Sequence, residues 1–488
     1  MNSEMFALSY LIKATLTNEK DSSAAGSRSL GELIIRDRIG LDEADVQRWT
    51  STLLAVFGAA LLAGSPLSGW WADKVERRAI PFLAGLVLLT GATVMLCLAR
   101  SIPVLIVARV FQGLSGSIVW TVAIAIMTDR VGTQKFGAIM GLITVARSAG
   151  VLLGPIIGGV LYAKAGYYAV FGTLFGLLGA DVLFRCVLIE TRKAQKWDPS
   201  IGPEVDKSES AMDGSDEQES IESEKPMELS GRKRGSLYRL AHSLPPFVTL
   251  LGSIRLVVAL WGCFVQAIVL GCMDAVLPLF VHGIFNWGST GAGLLFFALM
   301  VPTLVSPVFG WLTDNYGPRW YAAGGLLVTA IPLILLRLVT HDSVDQKALL
   351  CVLLALVGAF TTCFEIPLCV DVLRAVELKG EEDPKKYGGK GAYAQAFGLN
   401  NMVWAAGMVV GPIWGGFVFE NAGWGTLTWT LGLVSAVSAI PAAIYVGGNI
   451  FGESRKLCIS ASSSTAVLVD DGGEMGYLKD AAKLKICS

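Results

Sequence analysis

Charge is scarce in this 488-residue chain: Asp, Glu, Lys and Arg make up 16% of it, against about 25% in an average soluble domain. The 39 basic and 40 acidic residues leave a formal net charge of −1. No dense basic patch interrupts the apolar runs, so nucleic acid is not an expected partner. Only three histidines occur, His242, His282 and His341, far apart in the chain. Neither they nor the nine cysteines (97, 186, 263, 272, 351, 363, 369, 458 and 487) form a cluster with metal-ligand spacing, so no metal site and no cofactor are expected. Most of the cysteines fall inside apolar runs and read as core thiols. Cys487 stands next to last, so a C-terminal prenylation signal is not expected. No GxxxxGK(S/T) sequence is present, so nothing points to ATP as an energy source. The first 49 residues hold no long apolar stretch either: Met5 to Ile12, interrupted by Ser9 and Tyr10, is far short of the about 20 residues a span requires. It has no secretory cleavage pattern.

What the chain has instead is hydrophobicity, at 53% of residues. Apolar runs long enough to cross a bilayer occur at 50–72, 79–99, 102–127, 138–163 and 167–189, and again at 252–281, 289–312, 319–340, 346–376, 391–419 and 423–447. An all-α polytopic membrane protein with eleven crossings is expected. Five domains follow: a polar segment at 1–49 without a full span, a five-helix bundle at 50–190, a linker at 191–250, a six-helix bundle at 251–448 and a tail at 449–488. The linker is acidic and serine-rich (SESAMDGSDEQESIESEKP) and ends in the basic GRKRGSLYR, a composition expected to be disordered. Lys and Arg gather in alternate turns: Lys74, Arg77 and Arg78, then Arg130 and Lys135, then the linker, then KGEEDPKKYGGK. Those turns are expected to be cytoplasmic, with the C-terminal tail inside and the N-terminal tail outside.

Two blocks recur. GVLLGPIIGG (Gly150 to Gly159) returns as GMVVGPIWGG (Gly407 to Gly416), each followed by Ala-Gly-aromatic (Ala165-Gly166-Tyr167 and Ala422-Gly423-Trp424), and SPLSGWWAD (Ser65 to Asp73) returns as SPVFGWLTD (Ser306 to Asp314). The chain therefore reads as an internal duplication. In the second half a whole crossing, Gly252 to Val281, precedes the SPxxGWxxD helix, whereas the first half has only ELIIRDRIGLDEADVQRW in that place. A six-plus-six plan thus reads as five-plus-six, with the first crossing expected to be missing. A truncated gene model and a genuine loss remain open at this point.

These blocks carry a resemblance. Gly69, Asp73, Lys74, Arg77 and Arg78 follow the pattern G-x-x-x-D-(R/K)-x-G-R-(R/K), with Glu76 replacing the usual glycine, and a degraded copy runs through Gly310, Asp314, Gly317 and Arg319. This resembles the loop signature of the major facilitator superfamily. ARVFQGLSG (Ala108 to Gly116) is similar to that family's R-x-x-Q-G signature, and GVLLGPIIGG resembles the fifth-helix signature of its proton antiporters. The match covers about residues 33–448. QRWTSTLLAVFGAALL, KGAYAQAFGLNN and NAGWGTLTWTLGL look like fungal drug:proton antiporters related to vesicular amine transporters. The resemblance implies two pseudo-symmetric helical bundles around a central cavity.

Specific residues receive roles on this reading. Gly69, Asp73, Lys74, Arg77, Arg78, Gly310, Asp314 and Arg319 are expected to gate, because a carboxylate at a helix end can hold a neighbouring helix in one state and release it in the other. Gly150, Gly154, Pro155, Gly158 and Gly159, with Gly407, Gly411, Pro412, Gly415 and Gly416, are expected to pack helices closely, one half against the other so that the halves can rock. A dimerisation face is the alternative. Ionisable groups inside a span cost about 2.5 to 3.5 kcal/mol each on insertion scales, so each needs a purpose. Asp274 is the leading proton or cationic-substrate site, followed by Glu365 and Asp371, which lie six apart on different faces of one helix, Glu365 being preferred for the cavity. Arg374, three after Asp371, is a candidate to neutralise it. Arg109 matches the family arginine that bears on proton coupling; snorkelling to the outer surface is its alternative. Gln112, Trp120, Tyr393, Gln395 and Asn400 join Asp274 as candidate substrate contacts, Asp181 and Arg185 read as a structural pair, and Arg147 has no assigned role.

The expected activity is secondary transport, not enzymatic catalysis: efflux of a drug-like or secondary-metabolite compound driven by a proton gradient. Uptake or vesicular loading of an amine-like solute, and a non-transporting relic or membrane interaction protein, remain open. The expected partners are the lipid bilayer, a small organic substrate and protons, with the chain a monomer in the plasma membrane or in a vacuolar or vesicular one.

Overall fold

The computed structural model describes residues 43–75, 77–187, 249–287, 289–382 and 392–448. The first 42 residues, Glu76, residues 188–248 with nearly all of the linker, Gly288, residues 383–391 and the tail lie outside the described residues. Among those described, the secondary structure is helical with no strand, as hydrocarbon demands: a helix satisfies its backbone hydrogen bonds within one segment. The helices are α1 (Glu43–Lys74), α2 (Ala79–Leu98), α3 (Ile102–Val131), α4 (Phe136–Ala165) and α5 (Tyr167–Val187) in the first half. The second half has α6 (Ile254–Phe285), α7 (Ser289–Met300) running through a 3-10 turn (Val301–Val305) into α8 (Ser306–Tyr316), α9 (Arg319–Leu335), α10 (Val344–Glu382) and α11 (Tyr393–Tyr445).

Among the described residues, ten helical segments are long and apolar enough to cross a membrane, yet they make eleven crossings. At 1.5 Å per residue the 53 residues of α11 would extend about 80 Å, more than twice a hydrocarbon core of about 30 Å. Gly423 breaks it, with φ 79° and ψ 173°, into arms at 393–422 and 424–445. Its counterpart Gly166, φ 77°, turns α4 into α5. The duplicated Ala-Gly-aromatic is thus a hairpin turn, and glycine stands there because a Cβ in the left-handed region costs roughly 1–2 kcal/mol.

The glycine repeat does pack helices, but its second copy works inside one half. A Cβ on Gly407 would stand 2.5 Å from Ala267 Cβ and 2.8 Å from Phe264 O, and one on Gly411 would stand 2.8 Å from Ile268 O. One on Gly415 would meet Cys272 Sγ at 3.2 Å, and the Cys272 thiol itself donates to Gly411 O at 2.9 Å. All of these partners belong to α6, so the expectation that this copy packs one half against the other is corrected. The glycine face of α11 lets two backbones of the same bundle approach. Pro412 Cδ lies beside Gly271 on that face, whereas Gly416 faces open space. In the first copy Gly154 is buried and Gly150 half-buried on α4, while the surroundings of Pro155, Gly158 and Gly159 fall outside the described residues.

The halves meet instead near the basic turns. One buried cluster there joins Ile124, Phe136 and Met140 of the first half to Phe364, Val372 and Phe397 of the second, with the Phe136 and Phe397 rings 5.6 Å apart. At the opposite end the second half has its own core, in which Phe280 and Trp424 stack at 3.9 Å and Trp424 Nε1 donates to Leu336 O at 2.9 Å.

Candidate functional site

Two seams close the basic-turn end, and each is built from one copy of SPxxGWxxD. At the end of α1 the Asp73 carboxylate accepts from the backbone N–H of Ala394 (3.2 Å) and of Gln395 (2.9 Å), in the first turn of α11. At the end of α8 the Asp314 carboxylate accepts from the backbone N–H of Gly137 (2.9 Å) and of Ala138 (2.8 Å), in the first turn of α4. Each carboxylate thereby caps the N-terminus of a helix from the other half, where unpaired N–H groups and the helix dipole favour negative charge. Cross-half capping is possible because glycines remove the intervening Cβ atoms. One on Gly69 would stand 2.5 Å from Ala394 O, one on Gly398 2.6 Å from Ser65 O and one on Gly141 2.6 Å from Pro307 Cα, and Gly310 abuts the Gly137 carbonyl. Farther in, Asn401 Nδ2 donates to Ser65 Oγ and Ser306 Oγ donates to Gly141 O, both at 2.8 Å.

Of the gating candidates, Gly69, Asp73, Gly310 and Asp314 sit on these seams. Arg78 supports the first, its guanidinium reaching Asp73 at 3.2 Å, Ala125 O at 2.8 Å and Asp129 at 3.1 Å. Lys74 lies over the Trp70 ring and Arg77 is exposed. Arg319 binds the carbonyls of Val446 and Gly448, tying down the end of α11 within its own half.

Beyond the seams a partly open cavity lies between the halves. Its charged residues are Arg147 from α4, Asp274 from α6 and Glu365 from α10. Arg147 Nη2 donates to both oxygens of Glu365, at 2.8 and 3.1 Å, forming an ion pair from one half to the other. Beside it Thr303 Oγ1, in the 3-10 turn, donates to Ser148 Oγ at 2.6 Å. Pro302 within that turn and Pro307 just after it each lack the N–H a continuous helix would use, so the crossing breaks next to the cavity. Gln266, Thr361 and Thr362 add polar groups; Leu270, Met408 and Trp404 add apolar ones. Such a surface suits a small amphipathic solute.

The sequence candidates divide accordingly. Asp274 and Glu365 line the cavity. Asp371 does not: fully buried, it receives both Nε and Nη2 of Arg255 and the N–H of Gly447, so Arg255 forms its ion pair instead of the expected Arg374. Arg109 is buried and donates to Gln112 Oε1 at 2.8 Å on its own helix, away from the cavity lining. Trp120 and Tyr393 pack on the core at the basic-turn end, Gln395 donates its backbone N–H to the capping Asp73, and Asn400 is buried on α11; none of the four lines the cavity. Asp181 is buried on α5, and the Arg185 guanidinium lies over the Phe82 ring. Sequence reasoning passed over Trp404, Gln266 and the partner of Arg147. A signal existed, because Arg147 and Trp404 both stand three residues before the first glycine of the repeat and so hold equivalent positions in the two halves.

Comparison with known proteins agrees with this architecture. The Major Facilitator Superfamily model matches residues 27–306 and 259–456. The uncharacterized MFS-type transporter C18.02 of Schizosaccharomyces pombe is 33% identical over 386 residues, 79% of this chain and 83% of that protein. The MFS-type transporter ppzB of Metarhizium rileyi is 30% identical over 440 residues, 86% of this chain and 90% of its own. The crystal structure of the human organic anion transporter MFSD10 superposes with a TM-score of 0.60 at 16% identity, covering 90% of this chain and 96% of that one, a likeness of fold. The chain belongs to the major facilitator superfamily of membrane transporters.

Proposed function

We propose that the protein is a proton-coupled secondary transporter that exports an amphipathic organic compound by alternating access. The observation that carries this reading is the cavity between the halves, whose wall holds the carboxylates Asp274 and Glu365 of one half and the Arg147 guanidinium of the other. A carboxylate inside a span is expensive to leave charged and alone, so it is suited to exchange a proton for a substrate. The seams capped by Asp73 and Asp314 serve as the cytoplasmic gate, breaking when the halves rock. All of these groups come from one chain, so a monomer suffices. One proton moving down 100 mV supplies about 2.3 kcal/mol, enough for roughly a fifty-fold gradient at one-to-one electrogenic exchange. On this reading the protein works in the plasma membrane, with a vacuolar or vesicular membrane as the alternative.

The test is proton flux in sealed proteoliposomes of known orientation, with a panel of amphipathic compounds and an imposed pH gradient. The expected result is compound-dependent proton movement that Asp274→Asn and Glu365→Gln each abolish, with the compound leaving the compartment that bears the basic turns. Substrate movement that ignores the pH gradient would refute the coupling, and movement in the opposite sense would refute export.

A further inference from the structure

The Arg147–Glu365 pair is a charged contact across the cavity, and sequence analysis left Arg147 without a role. Arg147 projects from α4 of the first half, Glu365 from α10 of the second, and their side chains are 14% and 12% exposed. They are enclosed enough for the pair to be strong, yet both line the cavity that a proton or solute enters. The pair lies beyond the Asp314 seam, in line with Ser306 to Gly141 and Thr303 to Ser148. Those are neutral or capping bonds made while the ends touch. Only the Arg147–Glu365 contact in this row depends on the charge of a group that faces the cavity.

We propose that Arg147 is the positioning residue of the coupling step: it holds Glu365 only while that carboxylate is ionised, so proton binding at Glu365 and closure of the two halves exclude one another. This rests on the alternating-access reading above and adds the linkage within it. Protonated Glu365 presents a neutral carboxyl, and the charge-assisted bonds to both of its oxygens are lost. The halves are then held by the seams alone. By reciprocity, whatever separates the halves also strips Arg147 from Glu365 and leaves that carboxylate open to the cavity. The carboxylate is thus offered to the proton in one state and to the guanidinium in the other.

Other titratable groups near Glu365 are Asp274 and Cys263 on α6 and Cys369 on its own helix. Among the described residues, those that α11 and the α7–α8 crossing contribute to the cavity (Trp404, Met408, Leu299, Met300 and Thr303) are uncharged. Asp274 is on the same half as Glu365, so its protonation breaks no contact between the halves made by Arg147 and Glu365. That difference makes the two carboxylates separable by experiment.

The measurement is the distance between the halves, by electron–electron double resonance in lipid nanodiscs, without any substrate. Spin labels go on p-acetylphenylalanine at positions 134 and 381, exposed sites at the basic-turn ends of the first and second halves, which leaves the native cysteines in place. In mildly alkaline buffer Arg147→Gln and Glu365→Gln should each move the closed-to-separated ratio about tenfold toward separated. The double variant should go no further, because both remove the same contact. Arg147→Lys and the exchanged pair Arg147→Glu with Glu365→Arg should restore closure. Mild acid should separate the wild-type and Asp274→Asn halves alike and act much less on Glu365→Gln, in which the seam carboxylates Asp73 and Asp314 are still there to protonate. Three results would overturn the proposal: wild-type distances in Arg147→Gln, additive shifts in the double variant, or an undiminished acid response in Glu365→Gln. If the distances behave as expected while no compound moves protons in proteoliposomes, the linkage stands and the export reading fails.

Discussion

Replacing Asp314 by Asn tests whether the capped seams, and not merely the apolar core, keep the basic-turn end shut. The carboxylate takes one bond of 2.9 Å and one of 2.8 Å from the first turn of α4. Asn has the same shape but a single acceptor, and its amide group would face an N–H it cannot bind. A hydrogen bond to a charged group contributes about 1.5–3 kcal/mol, and the charge at the helix N-terminus adds about 0.3–1. Asp314 is half-buried, so the low end applies, and closure should weaken by about 2 kcal/mol, roughly thirtyfold in the equilibrium. At Asp73, only 9% exposed and paired with Arg78, the same change also disturbs an ion pair and should cost about 3–4 kcal/mol. The assay is maleimide modification of Leu270→Cys, in the cavity wall, by a membrane-impermeant reagent applied from the basic-turn side, relative to the parent chain. Modification should accelerate in Asp314→Asn and more so in Asp73→Asn. Unchanged rates in both, or the reverse order, would show that the caps do not hold the gate.

Two further changes separate gating from folding. Gly69→Ala would place its methyl 2.5 Å from the Ala394 carbonyl, a backbone atom that cannot yield, so transport should fall at near-normal expression; Gly91→Ala, with nothing within 4 Å, should be neutral in both measurements. Asp371→Ala strands Arg255 against a buried wall and should lower thermal stability by about 3–5 kcal/mol in a fluorescence melt, whereas a variant that melts like wild type but loses proton flux would return Asp371 to the coupling site.

Much of the fold was legible in the sequence. Apolar runs gave the crossings because the length of a span is set by the bilayer, and the SPxxGWxxD and glycine repeats gave the duplication because equal folds need equal close approaches. The carboxylates Asp274 and Glu365 stood out because charge inside a span requires a purpose. Gln112, Trp120, Tyr393, Gln395 and Asn400, expected at the cavity, are absent from its lining for a physical reason. A polar or aromatic side chain on a membrane helix is equally at home in a core, beneath a cap or in a cavity, and periodicity within one helix does not say which neighbour it faces. Arg147 shows the converse, a residue without a role in the sequence whose partner lies 218 positions away.

The sequence by itself determined an all-helical membrane transporter in two related halves, since hydrophobic length and repeated small residues are local properties that the bilayer converts directly into structure. Only the tertiary structure decided which contacts lie within a half and which between halves. It put the Gly407 repeat against α6, Asp73 and Asp314 on the helix ends of the opposite half, and Arg147 on Glu365. Those pairings depend on the relative rotation and depth of helices distant in the chain, which are set by the packing of all of them together.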